Sequence, residues 1–249
     1  TLHLRSLLIV GASAAAMSTV ASPAWSQNVI QELVVTAQKR EEALQDVPIA
    51  VSAFDQEALQ KARIDGGPNL VLAVPNVNFS KSNFTGYNFQ IRGIGSKLVS
   101  GSGDAGTGIH LNNVPQIANN LFETEFYDVE RVEVLRGPQG TLYGRNATGG
   151  VVNLITAKPT DEFEAVVRGE VGNYSAYKLR GMVNVPLNDT FAMRLAGTYL
   201  QRDGFGDNLV TGNDADDRKL YGIRATLSFQ PTDEFSAFLV DIASTVGQL

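Results

Sequence analysis

The segment LRGPQGTLYGRNATGGVVNLIT, Leu135–Thr156, decides between two kinds of fold, because it places five glycines and two arginines between two apolar runs. A phosphate-binding loop needs either Gly-Lys-Ser/Thr after a four-residue gap or a helix that begins at the last glycine. Neither occurs here. Gly149 and Gly150 lead into the β-branched run VVNLIT, and the preceding RVEVL alternates as a half-buried strand does. The segment therefore predicts two strands joined by tight glycine turns rather than a nucleotide site.

The N-terminal residues predict export. His3 and Arg5 precede the apolar and small-residue stretch LLIVGASAAAMSTVA, and Ala24 and Ser26 are small residues before a cleavage point. A membrane anchor needs roughly 20 apolar residues, whereas this stretch is shorter and diluted with Gly, Ser and Thr. We therefore expect residues 1–26 to be a signal peptide. Because the sequence begins with Thr instead of Met, we also expect residues upstream of it.

Composition excludes several classes of function. The net charge is −6 and there is no cysteine, so an exported chain of this kind is a poor nucleic-acid partner and has no disulfides, thiolate metal sites or thiol nucleophiles. His110 is the one histidine after residue 26, which excludes a histidine triad or a multi-histidine metal site. We expect no enzyme, no metal and no cofactor, and we expect His110 to be a polar surface or turn residue.

The middle of the chain predicts a small α+β domain. Strands are expected at VPIAVSAF, FQIRGI, TGIHLNNV and RVEVLR, with Asp55 capping a short helix over QEALQKA. Pro68 is placed to begin a second helix, NLVLA, and Pro75 to end it. Upstream, the mixed charges after ELVVTAQ are typical of a solvated linker.

From about Glu164 onward the sequence repeats alternating strands and turns. FAMRLAGTY and YGIRATLSF have one apolar face with aromatics at its ends and one face with arginines and small residues. The connections PLNDT and QPTDE are short, and RDGFGDNLVTGNDADD between them is long and acidic. A soluble β-sandwich also alternates, but strand length, aromatic rims and sorted loops favour an outer-membrane barrel. About five strands can be counted, too few to close a barrel, so we expect this chain to be a fragment.

The order of these parts resembles the TonB-dependent outer-membrane receptors of Gram-negative bacteria. The resemblance rests on the signal peptide, ELVVTAQKR, IRGIG, the long DVERVEVLRGPQGTLYGRNATGGVVNLITAKP and the barrel-like strands. It implies a signal peptide (1–26), a TonB-box segment and linker (27–47), a plug domain (48–159) and the first, incomplete part of an antiparallel transmembrane β-barrel (160–249). In that family the glycine-rich stretch ends the plug just before the first barrel strand.

The resemblance also assigns candidate residues. The TonB box is Glu32, Leu33, Val34, Val35, Thr36 and Ala37, an extended segment that can add to a sheet edge of TonB; a simple core strand is the alternative. Arg136 and Arg145 are expected to face acidic groups of the barrel wall, or else to satisfy local carbonyls. Phe84, Tyr87 and Phe89 are candidate ligand contacts, although alternate aromatics also pack in cores. At HLNNVP the family more often has Asp-Gly where Asn112 and Asn113 stand, and Asn tolerates the same turn.

The expected function is active uptake of a scarce nutrient, in the first place a ferric siderophore, by a monomer in outer-membrane lipid. Ligand binding from outside releases the TonB box, and TonB of the inner-membrane complex then moves the plug. The sequence shows no iron-ligand cluster, which fits a receptor that recognises a ready-made chelate. Vitamin, carbohydrate and aromatic-compound ligands stay open. A passive porin or adhesin barrel and a soluble periplasmic binding or enzyme domain are the alternatives.

Overall fold

The computed structural model describes residues 33–40, 42–81, 87–95, 105–116, 125–207, 214–232 and 234–247. The expected signal peptide lies outside these ranges. Three short α-helices are present in the described residues: α1 (Gln56–Lys61), α2 (Leu70–Ala73) and α3 (Gly140–Tyr143), with a 3₁₀ turn at Gly67–Asn69 before α2. None of the described helices has the length and apolar character needed to cross a membrane.

Nine of the strands precede residue 157, and their bounds are β1 (Val34–Val35), β2 (Glu42–Ala43), β3 (Val51–Asp55), β4 (Val77–Lys81), β5 (Tyr87–Ile91), β6 (Thr107–Leu111), β7 (Val114–Pro115), β8 (Val129–Arg136) and β9 (Gly150–Thr156). A mixed sheet has the order β3-β8-β9-β6-β7, with β6 parallel to β9 and the other neighbours antiparallel. The pairs β1-β2 and β4-β5 form separate two-stranded ribbons. These strands and α1 to α3 make up the α+β domain that the sequence predicts.

Local sequence signals produce these elements as expected. Asp55 is the N-cap of α1, and its Oδ1 accepts a hydrogen bond from the Ala58 amide at 2.7 Å. Pro68 lies in the 3₁₀ turn that leads into α2, and α2 ends before Pro75. Asn112 and Asn113 have φ of 50° and 66° in the two-residue turn between β6 and β7, which is the left-handed geometry of a type I′ hairpin.

The glycine-rich segment does join two strands, because β8 and β9 pair antiparallel across it. One helical turn, α3, lies between them. Gly150 has φ of 152°, and a Cβ added there would lie 2.2 Å from the Leu135 carbonyl oxygen. Only glycine fits this position, where β9 begins against the end of β8.

The prediction that β8 is half-buried was wrong, because both of its faces are covered. Val132 and Val134 lie in a core with α1, α2 and the β4-β5 ribbon, whereas Leu135 lies in a second core with Val35 and Tyr143. Six of its eight residues are buried. The mixed sheet is therefore a central layer between two small cores.

The remaining strands are β10 (Glu164–Gly172), β11 (Ala176–Pro186), β12 (Phe191–Arg202), β13 (Gly206–Asp207), β14 (Asp214–Ala215), β15 (Arg218–Thr232) and β16 (Phe235–Gly247). Five of them form one antiparallel sheet in the order β10-β11-β12-β15-β16, and β13-β14 is a small hairpin within the connection 203–217. Strands of 9 to 15 residues meet or exceed the roughly 9–11 residues that a tilted membrane strand needs.

The faces of this sheet have the polarity of a membrane barrel. On β12, Met193 and Leu195 are exposed, whereas the alternate residues Ala192, Arg194 and Ala196 are buried. A soluble sandwich buries its apolar face and exposes its polar face, so this inverted pattern favours the barrel over the sandwich alternative. The connections 187–190 and 233–234 are short, as predicted. The opposite end carries the long connection but also the three-residue turn 173–175, so loop length is not fully sorted by side.

Asn184 fixes the connection between the α+β domain and β10. Its side chain is fully buried on β11. The Oδ1 atom accepts from the Thr160 amide at 3.0 Å, and Nδ2 donates to the carbonyl oxygens of Thr160 and Glu162 at 2.9 and 2.6 Å. The chain is thus held to the barrel wall before it enters β10.

Candidate functional site

The segment Leu33–Ala37, hereafter the box segment, folds against the α+β domain. Val34 and Val35 pair with Ala43 and Glu42, and the Leu33 carbonyl accepts from the Leu44 amide at 2.9 Å. Val34 is 42% exposed, whereas Val35 and Ala37 are fully buried. Glu32, the first residue of the predicted TonB box, lies outside the described residues. In this conformation the segment forms a buried strand, which is the alternative to a TonB box that the sequence analysis left open.

The residues after it do not form the expected solvated linker. Lys39 has φ of 59° and turns the chain back, so that β2 pairs with β1. Arg40 forms an ion pair with Glu42 at 2.6 Å. Mixed charge was a poor guide here because a hairpin turn has the same polar composition as a linker.

A buried carboxylate holds the box segment from one side. Glu133 on β8 is fully buried, and its Oε1 accepts from the Thr36 amide at 2.7 Å. The Thr36 hydroxyl lies 3.1 Å from Oε1 and 3.2 Å from Oε2 of the same carboxylate and donates to it. Arg131 Nε donates to Oε1 at 2.8 Å. Because the charge is paired and hydrogen-bonded, its burial is tolerated.

Tyr143 on α3 holds the segment from the other side. Its hydroxyl lies 3.2 Å from the carbonyl oxygens of both Thr36 and Ala37. Burial, and next the negative charge of Glu133, raises the pKa of this phenol far above its ordinary value, so it is a hydrogen-bond donor at every physiological pH. The Lys39 ammonium lies 5.3 Å from the ring centroid.

The β6-β7 turn reaches both of these groups. Asn153 Nδ2 donates to Asn113 Oδ1 at 2.9 Å and lies 3.5 Å from Glu133 Oε2. His110 packs edge-on against Tyr143 with a centroid distance of 5.1 Å. His110 is buried beside Tyr143, so the expectation of a surface or turn residue was wrong. Burial lowers its pKa.

A second set of contacts joins the α+β domain to the antiparallel sheet through charges. Asp65 and Glu125 accept from Lys178 and Arg180 of β11 at 2.7–3.0 Å. Burial by itself raises the pKa of Asp65, but the hydrogen bonds and charges of Arg180 and Lys178 outweigh it and leave this pKa below its ordinary value.

Asp128 forms the second cluster. Arg194 of β12 donates to Asp128 at 2.6 Å, and Arg224 of β15 donates to the same carboxylate at 3.0 Å. All three side chains are buried. Next to them Gly222 makes room for Tyr127, whose hydroxyl would lie 3.1 Å from a Cβ at that glycine.

The sequence analysis expected Arg136 and Arg145 of the α+β domain to face acidic groups on the strands, but these ion pairs have the charges the other way round. Here the acids belong to the α+β domain and the cations to the strands. Among the described residues, Arg136 and Arg145 form no ion pair with β10 to β16, and Arg136 Nε is buried without a hydrogen-bond partner there. Their contact with acidic groups of a barrel wall stays a prediction.

The three aromatic candidates are not brought together as a described ligand surface. Phe84 lies outside the described residues, and for Tyr87 only the backbone, in β5, is described. Phe89 is 5% exposed and belongs to the first core, which is the packing role that alternate spacing also predicts. Ligand contact by these residues stays a prediction. The described residues contain no group of three or more His, Asp or Glu side chains that could hold a metal ion.

Sequence reasoning missed Glu133, Tyr143 and the acids Asp65, Glu125 and Asp128. Two signals were available. Arg131 and Glu133 alternate on the strand face that also carries Leu135, and buried polar residues on such a face need partners. The arginines on the polar faces of β11, β12 and β15 likewise required carboxylates.

Comparison with known proteins agrees with this architecture. Residues 43–151 match the TonB-dependent receptor plug domain. The pesticin receptor of Yersinia pestis is 27% identical over 213 residues, which are 85% of this chain and 31% of that protein. An iron-regulated outer membrane virulence protein of Vibrio cholerae is 28% identical over 193 residues, 71% of this chain and 29% of that protein.

A solved structure gives the same picture. The crystal structure of the ferric yersiniabactin uptake receptor from Yersinia pestis superimposes with a TM-score of 0.66 at 26% identity, over 74% of this chain and 29% of that one. This chain spans about a third of the length of the curated relatives it matches. The α+β domain is called the plug from here on.

Proposed function

This chain belongs to the TonB-dependent receptors of the Gram-negative outer membrane, and from that premise we propose that it imports a scarce nutrient with energy delivered by TonB. A ferric siderophore is the proposed ligand class. Two observations support it: one relative is iron-regulated and a structural neighbour takes up ferric yersiniabactin. The relatives are receptors, in line with the sequence prediction that the chain is not an enzyme.

The box segment carries the proposal. It is an extended, β-prone segment on the N-terminal side of the plug, and only two of its residues pair with a neighbouring strand. Strand addition needs such a segment, because main-chain hydrogen bonds give the affinity and alternate side chains give the specificity. Residues 32–37 are the proposed TonB box within the segment 27–47, between a signal peptide (1–26) and the plug (48–159); barrel strands occupy 160–249.

The mechanism follows from these parts. Ligand binds from outside to barrel loops and plug apices, and the box segment leaves its place on the plug. TonB pairs with the freed strand and transmits the work of the inner-membrane proton gradient. The plug moves and the ligand passes, without any bond being made or broken in the ligand. A passive porin or adhesin barrel needs neither the box segment nor TonB.

Disulfide cross-linking in the intact receptor tests this function. Val34 is exposed, so Val34→Cys is paired with a series of cysteines on the periplasmic domain of TonB, with and without ferric siderophores. Cross-links that ligand enhances, and that Val35→Pro abolishes by removing a backbone donor, support the proposal. Leu72→Cys, at an exposed position of α2, is the control and gives none. No cross-link from Val34→Cys at any pairing, with TonB present, overturns the proposal in favour of a passive barrel.

A further inference from the structure

The plug occupies the backbone groups that strand addition would use. The Thr36 amide donates to Glu133, and the carbonyl oxygens of Thr36 and Ala37 share the single proton of the Tyr143 hydroxyl. Val35 and Ala37 are fully buried. In this conformation a partner strand cannot pair with residues 36 and 37, so the box segment is closed.

Glu133 can lose the box segment without becoming an isolated buried charge. Its carboxylate keeps the hydrogen bond from Arg131 Nε at 2.8 Å, and Asn153 Nδ2 lies 3.5 Å from Oε2. Removing all partners of a buried charge is strongly destabilising, and that does not happen here. Water that enters as the segment leaves can take the place of the Thr36 donors.

Tyr143 likewise keeps its place when the segment leaves. When Val35 and Ala37 leave the second core, its ring keeps the core residues Leu135, Ala147 and Val151 and the T-shaped contact with His110. Among the described residues, the Tyr143 hydroxyl makes hydrogen bonds only to the box segment. Release therefore exposes the phenolic hydroxyl without displacing the ring.

We propose that Glu133 and Tyr143 are positioning residues that hold the box segment closed and set the fraction of receptors that present it to TonB. This inference rests on the function proposed above. Both residues act through the backbone of Thr36 and Ala37. The segment opens locally, and the rest of the plug keeps its structure.

Thiol reactivity in the full-length receptor measures the open fraction without TonB. Residues 1–249 contain no cysteine, so Val35→Cys, in a receptor whose remaining residues are also free of cysteine or made so, introduces a single buried reporter. When opening is fast, its reaction rate with a soluble thiol reagent reports the population of the open state. Tyr143→Phe removes one hydroxyl and keeps the ring, and the loss of a typical hydrogen bond predicts a roughly three- to tenfold faster reaction.

Matched variants isolate the role of the hydroxyl. Tyr127 is also buried, and its hydroxyl has no hydrogen-bond partner among the described residues, so Tyr127→Phe leaves the rate unchanged. Glu133→Gln keeps an oxygen that can accept from Thr36 but loses the charge, and it gives a smaller increase than Glu133→Ala. An unchanged rate in Tyr143→Phe overturns the proposal.

A second reporter separates local opening from unfolding of the plug. Leu70→Cys places a thiol at a fully buried position of the first core. Its rate stays at the parental value in Tyr143→Phe if opening is local, and an equal increase at both reporters overturns the proposal. Val34→Cys cross-linking in the same variants distinguishes the two hypotheses. If Tyr143→Phe speeds the thiol reaction of Val35→Cys but Val34→Cys never cross-links to TonB, the positioning role is supported and the proposed coupling to TonB is overturned. If Val34→Cys cross-links to TonB but Tyr143→Phe leaves the thiol reaction rate unchanged, the coupling is supported and the positioning role is overturned.

Discussion

The two sides of the plug are held by different kinds of interaction. Towards the strands, Asp65, Glu125 and Asp128 meet four cations at 2.6–3.0 Å. Towards the N-terminus, the box segment is held by a two-residue ribbon, by hydrogen bonds to one carboxylate and one phenol, and by the burial of Val35 and Ala37 in the second core. Buried charges are costly to separate, whereas single hydrogen bonds contribute about 0.5–1.5 kcal/mol each. The segment can thus leave while the strand-facing side stays anchored.

Asp128→Asn is expected to have the largest effect on stability, and it tests the charged, strand-facing side of the plug. The amide cannot balance the two buried guanidinium groups of Arg194 and Arg224, and breaking a buried ion pair costs about 3–5 kcal/mol. We expect the plug of the intact receptor in detergent to unfold at a lower urea concentration, measured by hydrogen exchange of residues 125–136. The exposed Asp161 provides the control, Asp161→Asn, with no change. A neutral Asp128→Asn would show that the charged side does not anchor the plug.

Thr36→Val probes the weaker side with a smaller effect. It removes the hydroxyl that donates to Glu133 but keeps the backbone amide and the side-chain shape. The loss of this charge-assisted contact predicts about 1.5–3 kcal/mol less protection of residues 34–37 in hydrogen exchange, with residues 125–136 unaffected. Thr107 is buried, and its hydroxyl has no partner among the described residues, so Thr107→Val is the matched control. Equal loss of protection on both sides would contradict the contrast.

The smallest expected effect is a pH dependence through His110. Burial is the main cause that lowers its pKa, and the nearby charge of Lys39 lowers it further, while the Asn113 carbonyl 3.5 Å from Nδ1 opposes both. The pKa of His110 is lower in the folded protein than in the unfolded protein, where it is near 6.5. The free energy of unfolding is therefore largest above that pH and decreases as the pH falls below it. We expect a lower urea midpoint at pH 5.5 than at pH 7.5.

His110→Gln separates this contribution from the carboxylates. Asp65 also has a lowered pKa, but its stabilisation is lost only at pH values below the ordinary carboxyl range, outside this window. The difference in midpoint between pH 7.5 and 5.5 should therefore shrink in His110→Gln. An identical difference in the parent and the variant would assign the pH dependence to other groups.

Local signals made much of the fold predictable. The Asp55 cap, the prolines around α2, the Asn112-Asn113 turn and the alternation of β12 each depend on neighbours within a few residues. The outward apolar face of β12 followed from the same alternation together with strand length and aromatic rims.

The contacts between distant residues were not predictable in this way. Arg194 and Asp128 are 66 residues apart, and Arg180 and Asp65 are 115 apart. Periodicity placed the cations on the inner face but could not identify their partners. Glu133 and Tyr143 were missed because a buried carboxylate on β8 becomes meaningful only when Thr36, 97 residues away, is known to lie above it.

Asn184 has a mechanical consequence. Tension on the N-terminus acts first where Leu33 meets Leu44, the open end of the β1-β2 ribbon, so the ribbon is peeled one backbone bond at a time. At the far end of the plug, the four hydrogen bonds of Asn184 to residues 160 and 162 bear the load together. Bonds loaded in parallel yield at a higher force than bonds loaded in series. A pull on the N-terminus therefore separates β1 from β2 before it breaks the hydrogen bonds of Asn184 at the junction with β10.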